Sequence, residues 1–228
     1  MRLLVILFSF LPTLSLADEV IGKPIDKAMG FQPAVTELAR DLQWLDGMVS
    51  IIMLLIVLFV VGIMVYISLR YNSKVNKEPA RFSHYTPVEV TWTVVPVLIL
   101  LFIGAFSLPI LFKQQTMPEA DLNIKVTGYQ WYWGYEYTDE NIGFDSFMLQ
   151  RDQLEDYGYS KSDYLLATDT KLVIPVNKVV VMQITGGDVI HSWTIPAFGV
   201  KQDAVPGRLG QLWFKAEKEG IYYGQCSE

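Results

Sequence analysis

The sequence predicts an α+β membrane protein, in which a two-helix transmembrane hairpin carries a β-sandwich on one side of the membrane. Two uncharged runs of 23 residues, 47–69 and 90–112, lie in the first half of the chain. After residue 113, short alternations of apolar and polar residues replace such runs. The 51% hydrophobic content of the 228 residues is therefore unevenly spread, as expected for a membrane hairpin followed by a water-exposed domain.

Residues 1–17 are predicted to be a cleaved signal peptide. Arg2 precedes a stretch rich in Leu and Phe, and small residues precede the expected cut after Ala17. A third membrane helix is the alternative, but the uncharged stretch is shorter than the roughly 20 residues that a span needs. The single cysteine of the chain, Cys226, lies far from this region, so no lipid-acylated N-terminus is expected.

Both uncharged runs are long enough to cross a membrane. At about 1.5 Å per residue, a helix of this length reaches roughly 34 Å, which covers the hydrocarbon core with some tilt. Pro96 and Pro109 would interrupt a soluble helix, but neighbouring helices can satisfy the freed carbonyls within a membrane. In the preceding segment, 18–46, leucines at helical spacing predict a short amphipathic helix over 31–45, near the membrane surface.

The charges of the connecting segments predict the orientation of the hairpin. The loop 70–89 carries four basic and two acidic groups, whereas segment 18–46 carries three basic and six acidic groups. Short loops rich in Lys and Arg stay in the cytoplasm. We therefore expect a cytoplasmic loop 70–89, with segment 18–46 and residues 113–228 on the outer side.

The outer domain, residues 113–228, has the patterns of a β-protein. Strand candidates are 122–126, 129–137, 172–175, 179–184, 189–195, 212–216 and 221–223. Short strands at this spacing, separated by glycine turns, predict an antiparallel sandwich or barrel. Segment 147–168 breaks the pattern, and we expect an inserted loop or a helical excursion there.

The outer domain is acidic. Ten Lys and Arg stand against sixteen Asp and Glu after Phe112, and the whole chain has a net charge of -6. This balance argues against a nucleic-acid partner, which requires a basic surface. It is consistent either with an ordinary solvated surface or with a docking face for a basic partner protein.

Three stretches of the outer domain contain residue types that are common in functional sites. Gly128–Tyr137 is rich in aromatic residues, Asp188–Pro196 contains His191, and Gly220–Glu228 contains Cys226. Taken singly, an aromatic stretch is usually core packing and a lone histidine is usually hydrogen-bonded. Cysteine and histidine together suit copper, although one of each is too few to hold a metal well.

Together with Glu89–Pro96 and Ala204–Arg208, these stretches resemble cytochrome c oxidase subunit II, in the order of that family. The resemblance implies a cupredoxin-like Greek-key β-sandwich that houses a binuclear copper A centre. The family's ligands are two histidines, two bridging cysteines, a methionine and a glutamate carbonyl. His191 matches the first histidine, Cys226 the first cysteine, and Glu228 the carbonyl donor. The Glu228 side chain would bind a magnesium ion shared with subunit I.

The resemblance also implies roles for other residues. Trp131 matches the exposed tryptophan through which the electron from cytochrome c enters the subunit. Acidic residues at or near family positions that face the basic rim of cytochrome c are Glu136, Asp139, Asp145, Asp169 and Asp188. Glu89 is either a boundary of the second span or a residue at the mouth of a proton-uptake path into subunit I.

The implied function is that of an oxidase subunit which accepts electrons from cytochrome c and passes them to haem in subunit I. There oxygen is reduced to water, coupled to proton pumping. Expected partners are subunit I, subunit III, cytochrome c and membrane lipid. The predicted signal peptide and the inserted segment favour the inner (plasma) membrane of a bacterium, with a periplasmic outer domain, over the mitochondrial inner membrane.

The resemblance stops inside the copper motif. In the family a second cysteine, a histidine and a methionine follow the glutamate, whereas this sequence ends at Glu228, which predicts C-terminal truncation and an incomplete outer domain. A quinol-oxidase subunit II, another membrane-anchored cupredoxin without a functional copper A, and a metal-free structural or assembly subunit are the alternatives. His191, Cys226 and Trp131 favour cytochrome c oxidase, because copper-free relatives have no reason to keep them.

Overall fold

The computed structural model describes residues 21–78 and 80–228, so the predicted signal peptide lies outside the described residues. Over these ranges the chain forms two long helices and seven strands. They are α1 (Glu37–Arg70), α2 (Thr86–Gln115), β1 (Leu122–Tyr129), β2 (Tyr132–Tyr137), β3 (Ile142–Phe147), β4 (Val180–Gly186), β5 (His191–Ile195), β6 (Val200–Ala204) and β7 (Gly210–Phe214). Short 3₁₀ turns occur at Lys161–Asp163 and Pro196–Phe198.

Helix α1 begins ten residues before the predicted span at 47, so the prediction of a separate amphipathic helix over 31–45 is wrong. Thr36 caps this helix, because its Oγ1 accepts a hydrogen bond from the Ala39 N–H at 3.0 Å. The same hydroxyl donates to the Phe198 carbonyl at 2.7 Å. Val35 and Leu38 are buried in the core of the outer domain. The start of α1 is therefore packed against the outer domain.

Helix α2 extends beyond the predicted span 90–112 at both ends and continues through Pro96 and Pro109. Among the described residues, α1 and α2 are the two helices long and apolar enough to cross a membrane. Their apolar side chains are exposed along most of their length. Lipid or neighbouring proteins must cover such surfaces, because the exposure of large apolar surfaces to water is unfavourable.

Ionic contacts join the two helices to each other and to the outer domain. The Lys113 ammonium of α2 lies 2.6 Å from carboxylate oxygens of both Glu37 and Asp41 of α1. Arg40 makes two parallel hydrogen bonds to Glu217, at 2.6 and 2.8 Å. In addition, the Trp213 indole of β7 donates to the Lys113 carbonyl at 3.1 Å. These contacts fix the outer domain on the hairpin.

The outer domain is a sandwich of two sheets. The larger sheet has the strand order β3-β2-β1-β4-β7, and β5 pairs with β6 in the smaller one. Burial alternates along β1, as its sequence pattern predicted. Side chains of both sheets meet in one core, which includes Ile124, Val126, Met182, Ile184, Trp193, Val200 and Phe214. The sandwich is confirmed, but β1 and β4 are parallel, so the expectation of purely antiparallel pairing is wrong.

Several strand boundaries differ from the sequence prediction. Strands β3 and β6 were not predicted, whereas 172–175 and 221–223 are not strands. The Val173 backbone N–H and carbonyl bond to the Tyr137 hydroxyl, at 2.9 and 2.6 Å, in place of a strand partner. The predicted excursion is present: residues 148–168 form turns around a small core of Leu149, Leu154 and Ala167. We refer to residues 148–168 as the excursion.

Candidate metal centre

His191 is the first residue of β5 and is only 7% exposed. Its ring lies against Gly128 of β1, where an added Cβ would be 2.8 Å from two ring carbons. The Trp133 ring meets the imidazole edge-on, with centroids 5.8 Å apart. The glycine therefore provides the space that the imidazole occupies, as glycine inside a strand often does.

Asp188 determines how the imidazole of His191 is oriented. Its Oδ1 lies 2.7 Å from His191 Nε2 and accepts the Val189 backbone N–H at 2.6 Å. Its Oδ2 accepts the Gln130 backbone N–H at 2.7 Å. The hydrogen bond with His191, followed by these N–H groups, lowers the pKa of Asp188 to about 2. An ionised carboxylate on Nε2 leaves Nδ1 as the nitrogen available to a metal.

Cys226 lies on the Nδ1 side of the imidazole. Its Sγ is 4.0 Å from His191 Nδ1 and 3.1 Å from the carbonyl oxygen of Glu228. The backbone here runs along β5, because the Ser227 N–H donates to the Ser192 carbonyl at 3.1 Å. At Gly224 an added Cβ would collide with the Thr194 carbonyl oxygen, so glycine allows this close approach.

The three residues predicted as copper ligands, His191, Cys226 and Glu228, thus converge. Within residues 21–78 and 80–228 no group of three or more His, Cys, Asp and Glu side chains is placed to hold a metal ion. The donors that do converge are one imidazole nitrogen, one thiol and one backbone carbonyl. Imidazole and thiolate are the ligands that copper prefers, and the Asp188–His191 hydrogen bond is typical of a metal-binding histidine. This donor set fits one side of a copper centre.

Trp131 lies in the turn between β1 and β2 and is 86% exposed. The backbone N–H of its neighbour Gln130 is the group that donates to Asp188, which in turn contacts His191. The Gln130 backbone, the Asp188 carboxylate and two hydrogen bonds therefore connect the turn that carries the exposed indole to the imidazole. Trp133, by contrast, packs against the core.

Aromatic side chains next to Trp131 cover the outer face of the larger sheet. Tyr129, Tyr132 and Phe147 stack in a row, with successive ring centroids 4.8 and 4.6 Å apart. They stand on adjacent strands, since Tyr129 pairs with Tyr132 and Tyr132 pairs with Phe147. Stacked rings of this kind stiffen the sheet beside the exposed indole.

The five predicted docking carboxylates differ in their surroundings. Glu136 and Asp145 are exposed, and Glu136 Oε2 lies 3.5 Å from the Lys125 ammonium. Asp139 accepts a hydrogen bond from the Asn123 amide at 3.3 Å. Asp169 and Asp188, however, point toward the protein backbone. Asp169 accepts the N–H groups of Phe147 and Thr170, at 2.8 and 2.7 Å, so its carboxylate holds the end of β3.

Glu89 lies in the first turn of α2. Its Oε1 accepts the Tyr85 backbone N–H at 3.0 Å, which satisfies one of the amides left unpaired at a helix start. A carboxylate in this position also interacts favourably with the helix dipole. These contacts favour the boundary role of Glu89.

Sequence reasoning missed two contributors to the candidate centre. Gly128 was treated only as part of an aromatic stretch, and Asp188 only as a docking residue. A glycine within an otherwise aromatic strand is a signal of close packing. The spacing Asp188-x-x-His191 is a second signal, because it allows a carboxylate to reach a following imidazole across a turn.

Two apolar helices, an outer β-sandwich and an imidazole–thiol pair define a membrane-anchored domain of the cupredoxin-like class. The chain matches the family models for "Cytochrome C oxidase subunit II, periplasmic domain" over residues 122–228 and "Cytochrome C oxidase subunit II, transmembrane domain" over residues 24–110. Cytochrome c oxidase subunit 2 of Cereibacter sphaeroides is 56% identical, with 92% of this chain and 74% of that protein covered.

A probable cytochrome c oxidase subunit 2 of Rickettsia bellii is 44% identical, with 91% of this chain and 76% of that protein covered. A crystal structure of the periplasmic domain of the corresponding subunit of Bradyrhizobium japonicum is 54% identical. The match covers 50% of this chain and 76% of the chain in that structure, with a TM-score of 0.44. On the family models and the Cereibacter relative, the chain belongs to the cytochrome c oxidase subunit II family.

Family membership confirms several predictions. The chain is a subunit of an oxidoreductase complex, and its place in that complex is the electron-accepting one. It is a two-pass inner-membrane protein with a periplasmic C-terminal domain, as the charge pattern predicted. Other oxidase subunits are therefore its partners.

Proposed function

We propose that this subunit receives electrons from cytochrome c at a copper A centre and delivers them to haem in subunit I. Oxygen reduction to water and proton pumping would then follow in that partner subunit. The observation that carries this proposal is the convergence of His191 Nδ1, Cys226 Sγ and the Glu228 carbonyl, with His191 linked through Asp188 to the turn that carries the exposed Trp131. Membership of the family supports copper as the metal.

His191, Cys226 and the Glu228 carbonyl would hold copper on this side of the centre. Bound copper supplies a one-electron couple, and thiolate and imidazole ligands keep its coordination similar in both oxidation states. The contribution of the chain is rigidity: β5 presents the imidazole, and Asp188 fixes its orientation. Because His191 is nearly buried, the imidazole is also shielded from water.

Trp131 is proposed as the residue at which the electron enters. Its indole is the most exposed aromatic ring of the outer domain among the described residues. The hydrogen bonds through Asp188 link its turn to His191 without a gap. An exposed ring that leads directly to a buried ligand suits electron uptake from a protein that docks only briefly.

Carboxylates around this surface are proposed to attract the basic rim of cytochrome c. Glu136, Asp139 and Asp145 are the better candidates, because Asp169 and Asp188 direct their oxygens to backbone groups. Complementary charge raises the rate of encounter more than the final affinity.

Two further roles are proposed from the family resemblance. The Glu228 side chain, which is exposed in this chain, would bind magnesium together with subunit I. Glu89 would lie near a proton-uptake path on the cytoplasmic side, in addition to marking the boundary of the second span. Its hydrogen bond to Tyr85 would hold the carboxylate at the start of α2.

The test of Trp131 uses the assembled oxidase with the substitution Trp131→Leu. Electron uptake from reduced cytochrome c, followed by stopped-flow absorbance, should slow by at least about tenfold, which corresponds to roughly 1.4 kcal/mol in the barrier. The near-infrared copper band should stay unchanged, since Trp131 does not touch the ligands. Trp92→Leu, at an exposed tryptophan of α2, serves as the control. An unaltered rate in Trp131→Leu would exclude this residue as the point of electron uptake.

A further inference from the structure

The segment that carries Cys226, residues 221–227, has no regular secondary structure. Besides its contact with β5, it donates two hydrogen bonds to distant parts of the chain. The Tyr223 N–H donates to the Gly22 carbonyl at 2.8 Å. The Gln225 side-chain amide donates to the Leu165 carbonyl at 3.2 Å. The N-terminal residues 21–23 and the excursion thus both contact the cysteine segment.

Gly22 is the residue that makes the first contact possible. Its φ of +86° lies in the left-handed region, where a side chain is unfavourable. An added Cβ would also collide with the Ile221 carbonyl oxygen. The two backbones therefore approach more closely than any residue other than glycine permits.

An ion pair joins residues 21–23 to the excursion. The Lys23 ammonium lies 3.1 Å from Asp163 Oδ1, and Asp163 is 7% exposed. The Ser160 backbone N–H and hydroxyl donate to the other oxygen of this carboxylate, at 2.9 and 2.7 Å. Because these bonds fix the buried carboxylate, the pair is more than a loose surface contact.

Tyr223 of the cysteine segment packs beside the same ion pair. Burial, followed by the nearby negative charge of Asp163, raises the pKa of the Tyr223 hydroxyl to about 12. The neighbouring Tyr222 ring lies against residues 21–23, because a Cβ added at Gly22 would be 3.0 Å from one of its ring carbons. The Tyr222 ring also packs on Phe198 of the core, with centroids 4.8 Å apart.

We propose that residues 21–23 and the excursion form a clamp, which positions Cys226 against His191. The proposal rests on the proposed function only in taking Cys226 as a metal ligand. Without the clamp, the cysteine segment would keep only its contacts with β5 at Gly224 and Ser227 and the packing of Tyr222 on the core. The thiol would then move relative to an imidazole that Asp188 holds still.

The test uses the assembled oxidase with Lys23→Ala. Opening of the clamp should speed amide hydrogen exchange in residues 221–227 by about threefold to tenfold, since local opening controls exchange. Copper should also be lost faster to a chelator, and its multi-line spin-resonance signal should broaden. Lys23→Arg should restore all three readouts. Lys161→Ala is the matched control, because it removes an exposed ion pair with Glu155, 3.4 Å apart, within the same excursion.

Gly22→Ala tests the same clamp without changing a charge, and it should raise exchange at 221–227 as well. Unchanged exchange in both variants would overturn the clamp. Faster exchange with an unchanged copper signal and an unchanged rate of copper loss would overturn the positioning of Cys226. If the unsubstituted complex has no copper A signal, the proposed function fails, while hydrogen exchange still decides whether the clamp exists.

Discussion

Gly128→Ala tests whether the imidazole of His191 lies where the structure places it. The new methyl group would stand 2.8–2.9 Å from three carbons of the His191 side chain, closer than Cβ atoms pack in proteins. Neither the backbone at Gly128 nor the His191 side chain can move easily to relieve this contact. Gly128 is in a central strand, paired with both Trp133 and Gly186, and Asp188 holds the imidazole from the other side.

The cost of this substitution follows from overpacking. Forcing one methyl group into a filled site typically costs about 1–3 kcal/mol. If the outer domain unfolds as a unit, that loss lowers its melting temperature by roughly 4–12 °C. The displaced imidazole should also change the copper spin-resonance signal, or lower the copper content, of the purified oxidase.

The matched control is Gly143→Ala in β3. There the nearest atom to an added Cβ is the Tyr135 carbonyl oxygen at 3.7 Å, an ordinary contact. Thermal unfolding and copper content of both variants are compared with those of the unsubstituted oxidase. If Gly128→Ala has the same melting temperature as Gly143→Ala and an unchanged copper signal, the described packing of His191 is wrong.

Two further predictions concern the carboxylates. Asp188→Asn should alter the copper spin-resonance signal, because a neutral amide holds the imidazole less firmly, whereas Glu119→Gln before β1 should leave it unchanged. In Glu136→Gln/Asp145→Asn, the rate of reaction with cytochrome c should fall less steeply with rising salt than in the unsubstituted oxidase, since exposed charges steer encounter and salt screens them. A salt response equal to that of Glu119→Gln would remove these two residues from the docking surface.

The regular elements of this chain could be predicted because their patterns are local. A long uncharged run indicates a membrane span without reference to distant residues. The alternation of apolar and polar residues in β1 likewise indicates a strand with one buried face. The start of α1 was misplaced because charged residues at 37–46 end the apolar run but not the helix. Strand β6, Val200–Ala204, was missed because its central residues are polar and its pairing with β5 is set by tertiary contacts.

Of the candidate centre, only the three proposed ligands were predicted from the sequence. His191, Cys226 and Glu228 came from the order of matched motifs, and the structure brings them together. The groups that orient them could not be inferred from spacing alone. The inward contacts of Asp188 depend on the turn after β1, and the contact of Gly22 with Tyr223 joins residues 201 positions apart through irregular backbone.

The most direct test of the central claim is the copper spin-resonance spectrum of the assembled oxidase with Cys226→Ser. A serine hydroxyl keeps the approximate size of the side chain but cannot replace a thiolate, since copper favours soft sulfur ligands. We predict that the multi-line copper A signal and the near-infrared band are both lost, while the haem spectrum of the complex persists. Retention of the multi-line signal in Cys226→Ser would contradict the assignment of this site to copper.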